Sequence, residues 1–404
     1  MKSILIFIIL CSVVFHSCKD PKNQEGNNQV NENRDTVLTD NTFQDSRDTS
    51  VNSYYKKSHV SIRGYVKNGA NADVIIDELD IGQINPLESV VVDQNGGFKF
   101  DIDIPEPGIY QLRFTDKNIH LFLRGGNIQI TTDISDIGSY SVTGSPESVH
   151  LQEMYLILRE INNQTYAVQD RVEKLQKDKS KVKQLLALVD SLPIYYAAIN
   201  KKKSERLIKF IERIDTSMVG LLAAFYLDVD ENYDFIIDTR NRFEKICAYS
   251  KFYIQLNDKI SSIVPVGPGK MAPNTVVDDA NGKSVYLSDY LGKTVLIYFW
   301  TSYSEPCRTE NLEIKKIYDN FHSRGFEVYA ISLDEKKDPW LRAIKEDQIS
   351  DWIHVSNLLG WDDDISHLYN IGEMPYLILV DNKGKIVARG FRSRELTANL
   401  LEFM

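Results

Sequence analysis

Apolar and polar residues alternate in the segment between about His59 and Ser145. Seven stretches follow the two-residue period of a strand with one buried face; they span 60–66, 73–79, 88–93, 97–104, 109–115, 119–125 and 128–134. Turn-forming residues such as Asn68 and Gly69 separate neighbouring stretches. Short strands joined by turns of this kind predict a small antiparallel β-sandwich over residues 58–145.

Beyond this segment, apolar residues recur three and four positions apart, which is the period of an amphipathic helix. Six stretches show this spacing: 151–161, 170–177, 182–192, 205–214, 218–227 and 242–256. Ser145 followed by Pro146 suits the start of the first helix, because serine caps helices and proline is tolerated in the first turn. We therefore expect a mainly helical region over 146–263.

A third pattern follows a linker rich in proline and glycine. Continuous apolar runs at 294–300 and 326–334 predict buried strands, and 305–321 and 339–347 predict the helices between them. Residues 376–390 predict a β-hairpin around Asn382 and Gly384. Strands that alternate with helices before a final hairpin indicate an α/β domain with a mixed sheet over 264–404.

The first residues indicate where the protein resides. Lys2 precedes an apolar run over 3–15, which is shorter than the roughly 20 residues of a membrane-spanning helix. This predicts a signal peptide over 1–17 that ends in a bacterial lipobox, with Cys18 as the lipidated residue. An ordinary signal peptide that contains Cys18 is the alternative. Residues 18–57 are strongly polar and predict a disordered tether. We expect an envelope lipoprotein that faces the periplasm or the cell surface and contacts the membrane through its lipid anchor alone.

Charge and cysteine content narrow the function further. The 404-residue chain has a formal net charge of −10, which argues against nucleic-acid binding because phosphate backbones require a concentrated basic face. Four cysteines are present, and Cys11 and Cys18 belong to the leader and the lipobox, so Cys247 and Cys307 remain as thiols. The histidines lack metal-ligand spacing, and the acidic run at 362–364 suits the start of a helix better than a calcium site. No metal or cofactor is predicted.

The run LIYFWTSYSEPCRTE, residues 296–310, carries a family resemblance. It resembles the FWASWCPPCRxE stretch of TlpA-type thioredoxin-like proteins, which are grouped with the redoxin and AhpC/TSA proteins. The later run GEMPYLILVDNKGKIV is similar to the family's segment in which a cis-proline, here Pro375, lies beside the redox pair. The resemblance covers 269–404 and implies a thioredoxin-like fold with thiol–disulfide oxidoreductase activity. The two upstream regions resemble the β-domain and helical insert that often precede this module in envelope lipoproteins.

The chain departs from the family motif at Ser304. The resemblance implies that this position holds the nucleophilic cysteine, whose pKa is lowered at a helix N-terminus. A serine hydroxyl neither attacks a disulfide nor forms one, so we expect the ordinary dithiol cycle to be absent. Serine is among the best N-cap residues, and Glu305 and Pro306 suit a first turn. The helix is therefore expected to keep its place without the chemistry.

Cys307, the second cysteine of the motif, has three interpretations at this stage. It is a buried and inert relic, or it reacts alone, since Ser304-x-x-Cys307 matches the Thr/Ser-x-x-Cys of peroxiredoxins and Arg308 could favour a thiolate. That motif opens with a proline where this chain has Trp300. The third interpretation is a disulfide with Cys247.

The resemblance also implies a groove that binds extended peptide beside Pro375. The groove residues predicted here are Tyr303, Glu305, Pro306, Met374 and Pro375. Trp361 and Met374 suit two positions equally well, the lining of this groove or the packed core. We expect a protein or peptide partner, which could itself carry a thiol. The function predicted is a binding protein of reduced or no catalytic activity. The alternative is a single-cysteine redox enzyme that uses Cys307 as a peroxidase or in mixed disulfides.

Overall fold

The computed structural model describes residues 58–80, 83–114 and 117–403. The predicted signal peptide, Cys18 and the predicted tether lie outside the described residues. The strands of the first predicted region come first in the chain, the helices of the second follow, and the mixed strands and helices of the third come last.

Two four-stranded sheets form the first region, with strand orders β4-β1-β7-β8 and β3-β2-β5-β6. The strands are β1 Ser58–Lys67, β2 Asp73–Asp80, β3 Gln83–Val91, β4 Gly97–Ile104, β5 Gly108–Phe114, β6 Lys117–Leu123, β7 Gly126–Asp133 and β8 Asp136–Thr143. Alternate residues of both sheets, such as Ile62 and Leu112, share one apolar core. The predicted sandwich is confirmed, with one exception: β1 and β7 pair in parallel.

The eighth strand was not predicted because its pattern is irregular. Ile137 and Val142 are its buried residues and lie five positions apart, so they break the two-residue period that marks a strand. The pairing of β7 with β8 also shifts register between Thr131 and Asp133. A bulge of this kind moves side chains to the opposite face of a sheet without a signal in a single strand's sequence.

Five helices form the second region: α1 Pro146–Gln176, α2 Val182–Ile214, α3 Val219–Phe225, α4 Tyr233–Cys247 and α5 Lys251–Ser261. Ser145 caps α1 by accepting a hydrogen bond from Ser148 N at 3.1 Å, as predicted. The sequence separated 151–161 from 170–177 and 182–192 from 205–214, but α1 and α2 are each continuous. Pro193 lies inside α2. Phe122 of β6 joins the helical core and connects the two regions.

One helical stretch, Lys179–Ile214, is long and apolar enough to meet the criteria for a membrane span. Only 11% of its most apolar window is buried. Lys183 and Asp190 interrupt the apolar residues, so the sequence indicates an amphipathic helix. The apolar window is mostly exposed, whereas the C-terminal half of α2 packs in the helical core.

The third region has a five-stranded sheet of order β13-β12-β11-β14-β15. Its elements are the hairpin β9 Val276–Asp278 and β10 Ser284–Tyr286, then β11 Thr294–Trp300, α6 Glu305–Phe321, β12 Phe326–Ser332, α7 Lys337–Glu346, β13 Ile353–Val355, α8 Asp364–Leu368, β14 Tyr376–Val380, β15 Ile386–Arg389 and α9 Ser393–Phe403. β11, β12 and β13 pair in parallel. β14 pairs antiparallel with β11, and β15 pairs antiparallel with β14. This is the predicted mixed sheet, with an apolar core on each face.

The helical region is joined to this sheet through a buried ion pair. Arg389 of β15 has a side chain that is 1% exposed, and its Nε lies 2.6 Å from Asp230 Oδ1 in the loop between α3 and α4. Tyr376 donates its hydroxyl to the same carboxylate and receives a hydrogen bond from Arg389 at 2.7 Å. A Cβ at Gly390 would lie 2.5 Å from Asp230 Cβ, so glycine is required for this approach. The carboxylate of the helical region thereby fixes the residue that follows Pro375.

Candidate functional site

The loop that follows β11 is held by an aspartate at the end of the neighbouring strand. Asp334 is buried and accepts hydrogen bonds from Ser302 N at 2.9 Å and from the Ser302 hydroxyl at 2.6 Å. Ser332 donates to the same carboxylate at 2.7 Å. These bonds fix the direction in which the chain leaves β11 and enters α6. Because parallel strands end at one edge of the sheet, the loop lies at the edge where α/β folds place their sites.

Ser304 is the N-cap residue of α6. Its backbone is extended, with φ −90° and ψ 113°, and its hydroxyl accepts a hydrogen bond from Cys307 N at 3.4 Å. Glu305 and Pro306 are exposed residues of the first turn, where a negative charge and a missing N–H are both compatible with the helix terminus. Serine therefore satisfies one of the amide groups that a helix leaves without an internal partner.

Cys307 lies beneath this turn and is 0% exposed. Its side chain is part of the apolar core that Trp300, Ile314 and Leu377 also line. Burial raises the pKa of the Cys307 thiol, and the Ser304 hydroxyl and the backbone and side chain of Thr301 oppose this rise. The net direction is upward, so the thiolate, which is the nucleophilic form, is disfavoured at neutral pH.

Arg308 does not act on this thiol. Its Nε and Nη2 lie 2.6 Å and 2.7 Å from the two carboxylate oxygens of Asp347, and Nη2 is 3.0 Å from Glu346. Asn311 donates to Asp347 at 2.7 Å as well. The expectation that Arg308 could favour a thiolate is therefore wrong. The guanidinium forms a bidentate pair that joins α6 to α7.

The residues predicted to form the groove differ in exposure. The Met374–Pro375 peptide bond is cis, Pro375 is buried and Met374 is half-buried, packed against the core that contains Cys307. Tyr303 is 71% exposed on the loop before α6. Trp361 is 41% exposed. Met374 thus packs against the core with part of its side chain. Tyr303 and Trp361 present apolar surface to solvent.

Arg392 supports the Pro375 loop from its other side. It donates a hydrogen bond to the Pro375 carbonyl and pairs with Glu373 at 2.8 Å. Its positive charge also opposes the rise in the Cys307 pKa, and it is the weakest of the effects on that thiol. The sequence did not identify Arg392, because its position after β15 gives no local signal of proximity to Pro375.

Family models match two parts of the chain. Residues 268–389 match the AhpC/TSA family, and residues 60–151 match a domain of unknown function, DUF4369. The thiol-disulfide oxidoreductase ResA of Bacillus subtilis is 31% identical over 142 residues, which are 35% of this chain and 76% of that protein. ResA of Bacillus cereus is 30% identical over 121 residues, 30% of this chain and 68% of that protein.

The chain belongs to the ResA-like thiol-disulfide oxidoreductase family. A solved relative is the thioredoxin domain of a thiol-disulfide oxidoreductase from Bacteroides vulgatus, which is 36% identical and has a TM-score of 0.32, covering 34% of this chain and 97% of that structure. A thiol:disulfide interchange protein from a Bacteroides species is 37% identical, with a TM-score of 0.31, and covers 34% of this chain and 90% of its own.

In this ResA-like chain Cys247 and Cys307 do not form a disulfide. Cys247 and Cys307 are both buried free thiols. Cys247 ends α4 inside the helical core, whereas Cys307 belongs to the core of the α/β domain. Burial raises the pKa of Cys247 too. The interpretation that these residues form a disulfide is therefore wrong.

The acidic run at 362–364 starts a helix in this family member. Asp363 is the N-cap of α8 and accepts a hydrogen bond from Ile365 N at 3.1 Å, and Asn357 donates to it at 3.1 Å. Among residues 58–80, 83–114 and 117–403, no three acidic, histidine or cysteine side chains gather as a metal site would require. The carboxylate of Asp363 thus has a structural role at the start of α8.

Proposed function

We propose that this ResA-like chain is an envelope protein in which the dithiol cycle is lost and the thioredoxin-like domain binds protein or peptide. The observation that carries the proposal is the pair of residues at the start of α6. Ser304 caps the helix at the position that the family motif assigns to the nucleophile, and Cys307 is fully buried.

The chemistry of exchange requires two thiols. A dithiol reductase transfers two electrons and two protons to its substrate while a disulfide forms between its own sulfurs. In this chain, Cys307 could reach at most a mixed disulfide, because Ser304 provides no second sulfur to release it. The reaction therefore has no route to turnover within the α6 motif.

A binding role uses surface that the lost chemistry leaves in place. Tyr303, Glu305 and Pro306 are exposed at the rim, and Pro375 and Met374 lie on the neighbouring loop. An exposed tyrosine beside a backbone edge suits an extended peptide, since its ring provides apolar contact and its hydroxyl a hydrogen bond. A protein or peptide partner, with or without a thiol, fits this surface.

The location proposed is the cell envelope, with the chain attached by acyl groups on Cys18. Support comes from the sequence: a short apolar leader, the cysteine that ends it and the polar residues that follow. Acyl chains provide the anchoring energy, and a polar tether separates the domains from the bilayer.

The single-cysteine enzyme is the weaker candidate. A peroxidase or a mixed-disulfide enzyme needs an accessible thiolate. The Cys307 thiol is 0% exposed, and burial raises its pKa. Both observations disfavour attack by this sulfur.

The lost dithiol cycle is tested by reduction of insulin with the full chain in the presence of dithiothreitol. We expect no turnover above background for the natural chain and measurable turnover for Ser304→Cys, which restores two thiols at the family spacing. The double variant Ser304→Cys with Cys307→Ala again has one thiol at the motif and should lose the gain. Turnover by the natural chain that Cys307→Ala abolishes would contradict the proposal.

The binding role is tested with reduced, alkylated insulin B chain as an extended peptide without free thiols. Fluorescence anisotropy should report saturable binding that Tyr303→Ala weakens. Tyr65→Ala, which removes an exposed tyrosine from the β-sandwich, serves as the matched control and should leave the affinity unchanged. Equal affinities for both variants and the natural chain would exclude the predicted groove.

A further inference from the structure

The helical region has an extension that its core does not explain. We define the distal arm as residues 162–200, the far end of the hairpin that α1 and α2 form. Of these residues, Val172, Leu188 and Ile199 are buried hydrophobics. At 1.5 Å per residue, the portion of α1 in the arm extends about 22 Å past Ile161, the last α1 residue before it that is buried. Most of the arm therefore faces solvent.

Large apolar side chains lie exposed on this arm. Their exposed fractions are 63% for Tyr166, 52% for Val182, 58% for Leu186, 68% for Ile194 and 45% for Tyr195. Val182 and Leu186 are four positions apart and project from one side of α2. At 100° per residue, that side is turned well away from Leu188 and Ile199, which pack inward. Ile194 and Tyr195 lie on other sides of α2, so the outward apolar side consists of Val182 and Leu186. An exposed apolar pair next to charged side chains suits contact with another surface.

The tip of the arm carries a positive excess. Residues 170–183 include six basic and three acidic side chains. Each acidic side chain pairs with a lysine: Asp170 with Lys174 at 2.6 Å, Glu173 with Lys177 at 2.5 Å and Asp178 with Lys181 at 3.0 Å.

The excess is therefore carried by Arg171, Lys179 and Lys183. It stands out because the whole chain has a net charge of −10. A basic tip beside the exposed pair Val182 and Leu186 is complementary to a surface that is anionic outside and apolar beneath.

We propose that the distal arm docks onto an anionic phospholipid bilayer. Val182 and Leu186 enter the boundary between headgroups and acyl chains, and the basic side chains at the tip contact lipid phosphates. Amphipathic helices bind membrane surfaces through this combination, and each lysine near such a surface contributes to the attraction. A second copy of the chain fits less well, since two tips of the same charge repel each other. The arm would add a contact to the lipid anchor and hold the domains at a defined orientation.

The test follows the arm itself, so that a lipid anchor does not obscure the result. A polarity-sensitive thiol dye is attached to the full chain carrying Leu186→Cys. The matched control is Leu401→Cys, which labels an equally exposed leucine on α9 (63% exposed). The natural chain treated with the dye provides the background. Vesicles of phosphatidylcholine alone are compared with vesicles that also contain phosphatidylglycerol.

We expect the probe at 186 to shift its emission to shorter wavelength with the anionic vesicles alone and to lose the shift in high salt. The probe at 401 should stay unchanged. Adding Lys179→Glu and Lys183→Glu should raise the lipid concentration for half-maximal shift by about tenfold or more. Lys383→Glu, on the exposed turn between β14 and β15, is the charge control and should have no effect.

Three results would overturn the proposal. One is the absence of a shift at 186 with anionic vesicles. Another is an emission shift that is equal for the probes at 186 and 401, or a shift at 186 that is equal with neutral and with anionic vesicles. The third is a shift produced by excess unlabelled chain without vesicles, which would assign the arm to contact between copies.

Discussion

At the scale of single residues, Ser304 and Cys307 support the proposal that this chain keeps the family's fold without its dithiol reaction. Ser304 supports the start of α6 through its hydroxyl, which accepts a hydrogen bond from Cys307 N. Cys307 contributes apolar volume to the core. Both residues are explained by structure, which is the pattern expected of a site whose chemistry is no longer used.

The capping role of Ser304 predicts a measurable loss on truncation. Ser304→Ala removes the acceptor for Cys307 N and should lower the free energy of unfolding by about 1 kcal/mol. Ser323→Ala, an exposed serine past the end of α6, should change it by less than about 0.5 kcal/mol. Urea denaturation of both variants measures the difference. Equal effects would mean that the long 3.4 Å hydrogen bond contributes nothing.

The raised pKa of Cys307 predicts slow alkylation. Since the folded thiol ionises at higher pH than an exposed thiol, its reaction with iodoacetamide at pH 7 should be far slower than in the urea-unfolded chain. The rate should still be rising with pH at about 8.5, where an ordinary exposed thiol is half ionised and its rate begins to level off. Peptide mass spectrometry distinguishes Cys307 from Cys247. Rapid modification of folded Cys307 at pH 7 would support the single-cysteine enzyme.

At the scale of elements, the contact between the α3–α4 loop and β15 determines how the helical region meets the α/β sheet. Arg389 is almost wholly buried, and Asp230 provides its counter-charge. Further hydrogen bonds run from Arg389 to the Val266 carbonyl at 3.0 Å and the Tyr369 carbonyl at 3.1 Å. The guanidinium thus connects three segments around the strand that begins just after Pro375.

Breaking this ion pair should be costly. Asp230→Asn leaves a buried guanidinium without its counter-charge and should lower the free energy of unfolding by about 3 kcal/mol. Glu373→Gln is the control, since it breaks a pair with Arg392 whose partners are 68% and 38% exposed, and should cost below about 1 kcal/mol. Thermal or urea unfolding measures both. A similar small loss for both variants would show that the two regions do not depend on Asp230.

At the scale of the whole molecule, stability should depend on pH through His354. Its ring stacks on Trp352 with centroids 6.0 Å apart, and desolvation lowers its pKa to about 4. The unfolded chain takes up this proton near the ordinary histidine value of about 6.5. Between these two values the unfolded state binds more protons, so acid favours unfolding.

We therefore expect the free energy of unfolding to fall as pH decreases from about 6.5 to about 4, with a contribution from His354 of up to about 3 kcal/mol. His354→Phe preserves an aromatic ring and should flatten this part of the curve. His367→Asn, an exposed position on α8, should leave the slope unchanged. Denaturant titrations at several pH values check this, and an unchanged slope for His354→Phe would exclude the assignment.

The sequence by itself determined the three regions, the mixed C-terminal sheet and the cap at Ser304. These depend on apolar periodicity and on residues within one helical turn, which are local properties of the chain. The parallel pairing of β1 with β7 in the sandwich and the irregular strand β8 were not recoverable, because strand partners and bulges leave no local pattern.

Only the tertiary structure decided the state of the site. Arg308 meets Asp347 39 residues away, and Arg389 meets Asp230 159 residues away. The sequence left Cys307 with three interpretations, because exposure and pKa depend on what distant segments place around a thiol. Segments packed on one face of the sheet buried the Cys307 thiol, whereas the capping role of Ser304 depends only on the helix that it starts.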